Sequence, residues 1–318
     1  MTRYLITGAT GFVGRRLTGM ILARGDAVTA LARPSARASA LGALGVRVVH
    51  GDLVKGRGLA EALDGADRVI HLAAVLKART SAGFWAVNRD GTARLVRALA
   101  ARARPPRLVF CSSLAARSPV SVYGASKLAG ERAVRAYARR VPSVILRPGI
   151  VYGPGEAALL PALLPMVRLG LAIQAGLGPR RFGLVYVDDL CAALLAAASG
   201  DAPVLDPGDP LAGLYPISDG NAYDWRDICR ALARADGRQG PLVLPVPVAV
   251  VSAVAAVAEL AGRLRGTVPA LNRDKVREMR RVAWTCVPDA AVRELGFAPT
   301  VGLTAGFEAA LAARRTAS

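Results

Sequence analysis

In SVYGASKLAGE, residues 121–131, Tyr123 and Lys127 stand four positions apart at the start of an Ala-rich helical pattern. Positions i and i+4 share one helical face, so the Lys127 ammonium can stand near the Tyr123 phenol and favour its ionised form. A tyrosine with an ordinary pKa near ~10 is a poor base at neutral pH, so proton transfer through this phenol requires such a shift. The same spacing also describes the first turn of an ordinary helix. Other chemistry is sparse. The histidines, His50 and His71, and the cysteines, Cys111, Cys191, Cys229 and Cys286, show no metal-ligand or paired spacing. That disfavours a zinc site or a disulfide framework and suits a reducing compartment.

The elements that would position this pair begin at the N-terminus. RYLITGATGFVGRRLTGMILARG reads as a buried strand over residues 4–7, a glycine turn, and a helix with Val13, Leu17, Met20 and Ile21 at helical spacing. Gly8, Gly11 and Gly14 form G-x-x-G-x-x-G, where missing side chains let the backbone turn tightly and approach a pyrophosphate at a helix N-terminus. The next strand, AVTALAR, ends on Arg33 instead of an acid. An acid there takes the ribose 2′-hydroxyl, whereas a cation pairs with a 2′-phosphate. NADP(H) is therefore expected ahead of NAD(H), with Arg37 able to share the phosphate. Further strand signals, VRVVHGDL, DRVIHLAA, RLVFCSS and SVILRPG, alternate with helical patterns, which predicts an α/β fold with a doubly wound parallel sheet.

The 318 residues suit a cofactor domain with a smaller partner lobe. The charge of +19 raises nucleic acid as a partner. The arginines, however, are scattered through Ala/Leu-rich pattern without interleaved aromatics or a basic tail, so solvated faces are expected and nucleic acid is not. With a mean hydropathy of +0.35 the chain keeps an anionic lipid surface open as a partner. The first residues lack the pattern of a secretory signal, and a cytoplasmic location is expected. The apolar run from Leu242 to Gly262 approaches bilayer-spanning length, but its two early prolines and Glu259 favour a buried or membrane-surface helix.

Taken in order, TGATGFVG (7–14), GDL (51–53), HLAA (71–74), SS (112–113), YGASK (123–127), RPGIVYGPG (147–155) and VYVDDL (185–190) resemble the extended short-chain dehydrogenase/reductases, the NAD(P)-dependent epimerase/dehydratase-like family. The resemblance covers nearly the whole chain. It implies a Rossmann domain from 1–155 plus about 184–200, and a smaller, mostly helical substrate lobe from about 156–183 and 201–318. It implies that Tyr123 is the proton donor or acceptor, that Lys127 lowers its pKa and holds the nicotinamide ribose, and that a strand-end hydroxyl polarises the substrate carbonyl. Ser113 matches that hydroxyl best, with Ser112 its neighbour. The cofactor contacts implied are Gly8, Thr10, Gly11, Phe12, Val13, Gly14, Arg33, Asp52, Leu53, Ala73, Ala74, Tyr123, Lys127, Pro148 and Gly149. Asn88 sits where many relatives carry a structural asparagine, and a homodimer through the helices of Asn88 and Tyr123 is common among them.

Two departures count against a nucleotide-sugar substrate. Nine residues separate Ser113 from Tyr123, so the long loop of many sugar-modifying relatives is missing and the upper cleft wall is expected to be short and open. Phe182 and Gly183 stand where such relatives often carry a diphosphate-binding arginine, with Arg180 and Arg181 close enough to compensate. The last third resembles extended members that act on hydrophobic ketones or alcohols, including lipid-modifying reductases, and also the NADPH-binding accessory subunit of respiratory complex I. The expected function is NADP(H)-dependent reduction of a bulky hydrophobic carbonyl compound, such as a 3-ketosphingoid or 3-ketoceramide. A nucleotide-sugar epimerase or dehydratase and a non-catalytic NADPH-binding accessory protein are the alternatives.

Overall fold

The computed structural model describes residues 1–265, 269 and 271–316. Its central sheet contains β1 (Arg3–Thr7), β2 (Ala27–Ala32), β3 (Arg47–His50), β4 (Arg68–His71), β5 (Arg107–Cys111), β6 (Ser143–Pro148) and a seventh strand, Leu214–Ile217. The order across the sheet is Leu214–Ile217, β6, β5, β4, β1, β2, β3, and every neighbouring pair is parallel. Strand order reverses between β1 and β4, which opens a crevice at the carboxyl ends of these strands.

The strands read as unbroken apolar runs because both faces of the sheet are covered. Ile6, Ile70, Val109 and Leu146 pack into one hydrophobic cluster, and their chain neighbours Leu5, Val69, Phe110 and Ile145 pack into another on the opposite face. This is the two-residue alternation of a strand with both sides dry.

Outside this sheet, Ile150–Tyr152 pairs with Leu184–Tyr186, and Arg181–Phe182 lies between Tyr223–Asp224 and Ala283–Trp284. Leu171–Ala175 pairs in parallel with Leu242–Val246. The apolar run from Leu242 is thus divided into a strand and the helix Val248–Leu264. The Pro247 carbonyl accepts the N–H groups of Val250 and Val251 and begins the helix at a residue that has no N–H of its own. Among the described residues, no helix is long and apolar enough to cross a membrane. Of the stretch expected to form the substrate lobe, residues 266–268, 270, 317 and 318 lie outside the described residues, and residues 214–217 depart from the expectation by joining the cofactor sheet.

Candidate active site

The helix carrying the Tyr-Lys pair is Val122–Arg135. Ser121 caps it, its hydroxyl accepting the Gly124 N–H at 3.0 Å. The helix lies close against the sheet because Gly130 has no side chain: a Cβ there would stand 2.6 Å from the Asn88 carbonyl oxygen and 3.1 Å from the Phe110 ring. Lys127, one turn into the helix and 2% exposed, donates to the Cys111 carbonyl at 2.7 Å and stands 4.4 Å from the centre of the Phe110 ring. Burial pulls its pKa down to about 8, against the opposing pull of Cys111 and Glu131.

β5 runs out into Ser112 and Ser113, and successive extended residues point to opposite sides. Ser112 is buried and donates to Glu131 at 2.5 Å, and Glu131 is paired through both oxygens with Arg147 at 2.8 and 2.5 Å. Ser113 opens the short 3-10 turn Leu114–Ala116, accepting the Ala115 N–H at 3.2 Å, and its side chain lies near enough to Tyr123 to draw that phenol's pKa down. The two serines, equivalent in sequence, are therefore separated by their partners.

Burial pushes the Tyr123 phenol well above its ordinary pKa; the Ser113 side chain opposes that shift, while Cys111 and Glu278 add to it. Lys127, expected to lower it, is not among the groups that shift it; the ammonium donates to the Cys111 carbonyl, and loss of hydration decides the direction at the phenol. The Phe84 ring stands edge-on to the Tyr123 ring at 6.4 Å.

The supporting layer is polar and buried. Asn88 lies in the π-helical stretch Trp85–Gly91; it accepts the Val75 N–H at 2.9 Å and donates to the Val75 carbonyl at 3.1 Å and the Ser126 hydroxyl at 2.9 Å. This ties the loop after β4 to the Tyr123 helix. His71 bridges the hydroxyls of Thr7 at 2.5 Å and Thr92 at 2.9 Å and stacks on Phe110. Burial keeps it neutral, with a pKa near about 3.

The glycine turn fits a dinucleotide pyrophosphate. Gly8 has φ +80°, and a Cβ on it would stand 2.7 Å from the Ala73 nitrogen. On Gly14 it would stand 2.2 Å from the Gly8 carbonyl oxygen, whereas at Gly11 it meets only that oxygen, at 3.2 Å, so the Gly11 face stays open. The following helix, Phe12–Ala23, has no side-chain cap and no acid in its first turn, leaving its N–H groups available for an anion. Thr10, Phe12 and Val13 are half-buried along this turn, and Ala73 and Ala74 are half-buried opposite it. Arg33 is exposed beyond the end of β2. The Lys55 N–H, 3.0 Å away, holds the Asp52 carboxyl below its usual range, and Arg33 adds to that effect. Leu53 is buried against Gly91, and Pro148 is also buried. Gly149 packs on the Gly183 backbone, where a Cβ would stand 2.3 Å from the carbonyl oxygen.

Several determinants escaped the sequence reading. Asp274 accepts the Val122 N–H at 2.8 Å and the Tyr123 N–H at 3.4 Å, while Glu278 accepts the Ser121 hydroxyl at 2.8 Å. The loop before Tyr123 is short, and the helix Arg273–Met279 packs against the start of the catalytic helix beside it. Asn272 as a helix cap was the only local signal, and it says nothing of a partner 150 residues away. Asp188 pairs with Arg16, one contact at 2.6 Å, and Asp189 takes the Thr300 N–H and hydroxyl at 3.1 and 2.9 Å, so the acids of VYVDDL fasten their helix to a neighbouring helix and to the loop before Leu303–Arg315. Arg180 gives its Nη1 to the Arg280 and Arg281 carbonyls at 2.9 and 2.8 Å, which ties it to the segment after the helix Arg273–Met279.

The model of the NAD dependent epimerase/dehydratase family matches residues 4–205. A ceramide reductase of Caulobacter vibrioides is 35% identical, covering 95% of this chain and 91% of its own length. A 4-hydroxy-2-methyl-3-oxo-4-farnesyl-3,4-dihydroquinoline-1-oxide ketoreductase of Stigmatella aurantiaca is 29% identical, covering 96% and 95%. Among solved structures, that of gox2253 superposes with a TM-score of 0.77 at 26% identity over 100% of this chain and 99% of that one. On its glycine turn, its Ser-Tyr-Lys geometry and these matches, the chain belongs to the NAD dependent epimerase/dehydratase family and is an NAD(P)-dependent oxidoreductase of the extended short-chain dehydrogenase/reductase type.

Proposed function

We propose that this protein reduces a bulky hydrophobic ketone with NADPH, the substrate being a keto-lipid of the 3-ketosphingoid or 3-ketoceramide kind. The observation that carries the reading is the apolar Phe182, packed on Trp225 at 5.8 Å where a diphosphate-binding side chain would be needed for a nucleotide sugar, together with a Tyr123 phenol able to give a proton to a carbonyl oxygen. A nicotinamide, when bound, would supply hydride to the carbonyl carbon. The Ser113 hydroxyl holds the carbonyl oxygen, Tyr123 donates the proton, and the Lys127 ammonium, charged below its pKa of about 8, holds the nicotinamide ribose.

Gly8, Gly11 and Gly14 cradle the pyrophosphate, Arg33 takes the 2′-phosphate, Asp52 flanks the adenine, and Ala73 and Ala74 line the cleft. Residues 1–155 and about 184–200, with the strand Leu214–Ile217, hold the cofactor; the remainder forms the substrate lobe. A cytoplasmic location and a homodimer through the helices of Asn88 and Tyr123 belong to the same reading. The names of the ceramide reductase and the ketoreductase support the substrate class.

Tyr123→Phe is expected to lower ketone-dependent NADPH oxidation by about 10²- to 10⁴-fold while NADPH binding, followed by nicotinamide fluorescence, persists. Unchanged oxidation would sink the mechanism. Turnover of UDP- or TDP-sugars with tightly held NAD, and none with keto-lipid, would replace it with epimerisation.

A further inference from the structure

The helix Val248–Leu264 is inverted relative to an ordinary surface helix. Its exposed residues between 249 and 260 are Ala249, Val250, Ala253, Val254, Val257 and Leu260, without one polar side chain among them. At about 100° per residue they fall in a single stripe on one side of the helix. Val250, Val254, Val257 and Leu260 are 50, 53, 68 and 61% exposed. Glu259 is turned away from them, accepting the Arg273 N–H at 2.7 Å and pairing with its guanidinium at 3.5 Å. The strand leading into this helix adds two exposed cross-strand pairs, Leu242 with Leu171 and Leu244 with Ile173. Isolated apolar residues on a surface need no explanation, but a continuous stripe implies something that covers it.

The flank of the stripe identifies the cover. The helix Arg273–Met279 packs against Val248–Leu264, and Arg265, Arg273, Lys275, Arg277 and Arg280 are exposed on and beside it; Arg273, Lys275 and Arg277 pair with Glu259, Glu278 and Asp274, leaving an excess of positive charge in a chain of net charge +19. Two copies meeting through this face would bring like charges together. An anionic lipid surface instead satisfies both the apolar stripe and its basic border.

We infer that the Val248–Leu264 helix and its basic neighbour form a docking surface for an anionic phospholipid bilayer, with the helix lying in the headgroup layer. The same neighbour helix reaches the catalytic helix, through Asp274 to the N–H groups of Val122 and Tyr123 and through Glu278 to Ser121. Docking therefore holds the start of the catalytic helix, with Tyr123, close to the membrane. Resting on the reductase reading for its substrate, this lets a keto-lipid pass from bilayer to site without crossing water.

The test is flotation of the full chain with phosphatidylcholine vesicles, with and without phosphatidylglycerol, at low and high salt. Binding should require the anionic lipid and weaken with salt. The double variant Val254→Asp, Val257→Asp should lose it by more than about tenfold at an unchanged melting temperature, since both positions are solvent-exposed. Turnover of a water-soluble ketone should be unaffected, and turnover of a vesicle-borne keto-lipid should fall in parallel with binding. Flotation that is absent, indifferent to phosphatidylglycerol, or intact in the variant would overturn the proposal, as would a dimer that the variant dissociates. Flotation without turnover of any ketone would refute the reductase reading and leave the docking surface standing.

Discussion

Asp274 accepts the backbone N–H of Val122 at 2.8 Å although 152 residues separate them. Its other oxygen reaches the Tyr123 N–H at 3.4 Å, so a carboxylate from the C-terminal third neutralises the exposed donors at the start of the catalytic helix. Glu278, one turn further on, binds the Ser121 hydroxyl that caps the same helix.

Asp274→Ala should cost about 1–2 kcal/mol of stability, the size of a lost charged cap, read as a lower urea midpoint. It should also lower kcat at unchanged NADPH affinity, because it loosens the phenol and leaves the glycine turn alone. Asp274→Asn, which keeps an oxygen acceptor, should recover much of both. A variant with lower stability and an unaltered kcat would reduce Asp274 to a structural cap.

Lys127 gives a pH signature. Its folded pKa of about 8 lies below the ordinary 10.5, so between these values the unfolded chain holds a proton that the folded chain has released. Stability from this group therefore rises with pH across that window. Activity should move the other way. The ammonium is lost above pH 8 while Tyr123, pushed up by burial, stays protonated, so kcat/KM for ketone reduction should fall through about pH 8. In Lys127→Arg the limb near pH 8 should vanish whatever the absolute rate, and a limb that persists would assign it to another group.

His71 should make the fold acid-sensitive. Its folded pKa of about 3 lies below the ordinary 6.5. The unfolded chain takes up a proton that the folded chain refuses, and stability present above pH 6.5 is lost as the pH falls toward 3, by up to about 1.4 kcal/mol per pH unit. Urea midpoints at pH 7, 6 and 5 should fall more steeply for the natural chain than for His71→Gln. Equal slopes would show that the acid sensitivity lies elsewhere.

The strands and glycine turn were legible because their signals are local. Leu5 and Ile6 face opposite cores, so the run is apolar at every position, and Gly8 and Gly14 are required by atoms of the turn and of the adjoining strand's end. The seventh strand was not legible. It is short, lies at the sheet edge and contains Pro216, which an edge strand tolerates but which carries no strand signal of its own.

By itself, the sequence determined the doubly wound sheet, the dinucleotide turn and the shared helical face of Tyr123 and Lys127, because steric and periodic preferences act between near neighbours. Only the tertiary structure decided that Ser113 and not Ser112 meets the phenol, that the phenol is pushed up in pKa, that Arg180 is engaged, and that Asp274 and Glu278 hold the catalytic helix. These outcomes depend on burial and on hydrogen-bond partners brought together from distant parts of the chain, and neither quantity exists until the chain has folded.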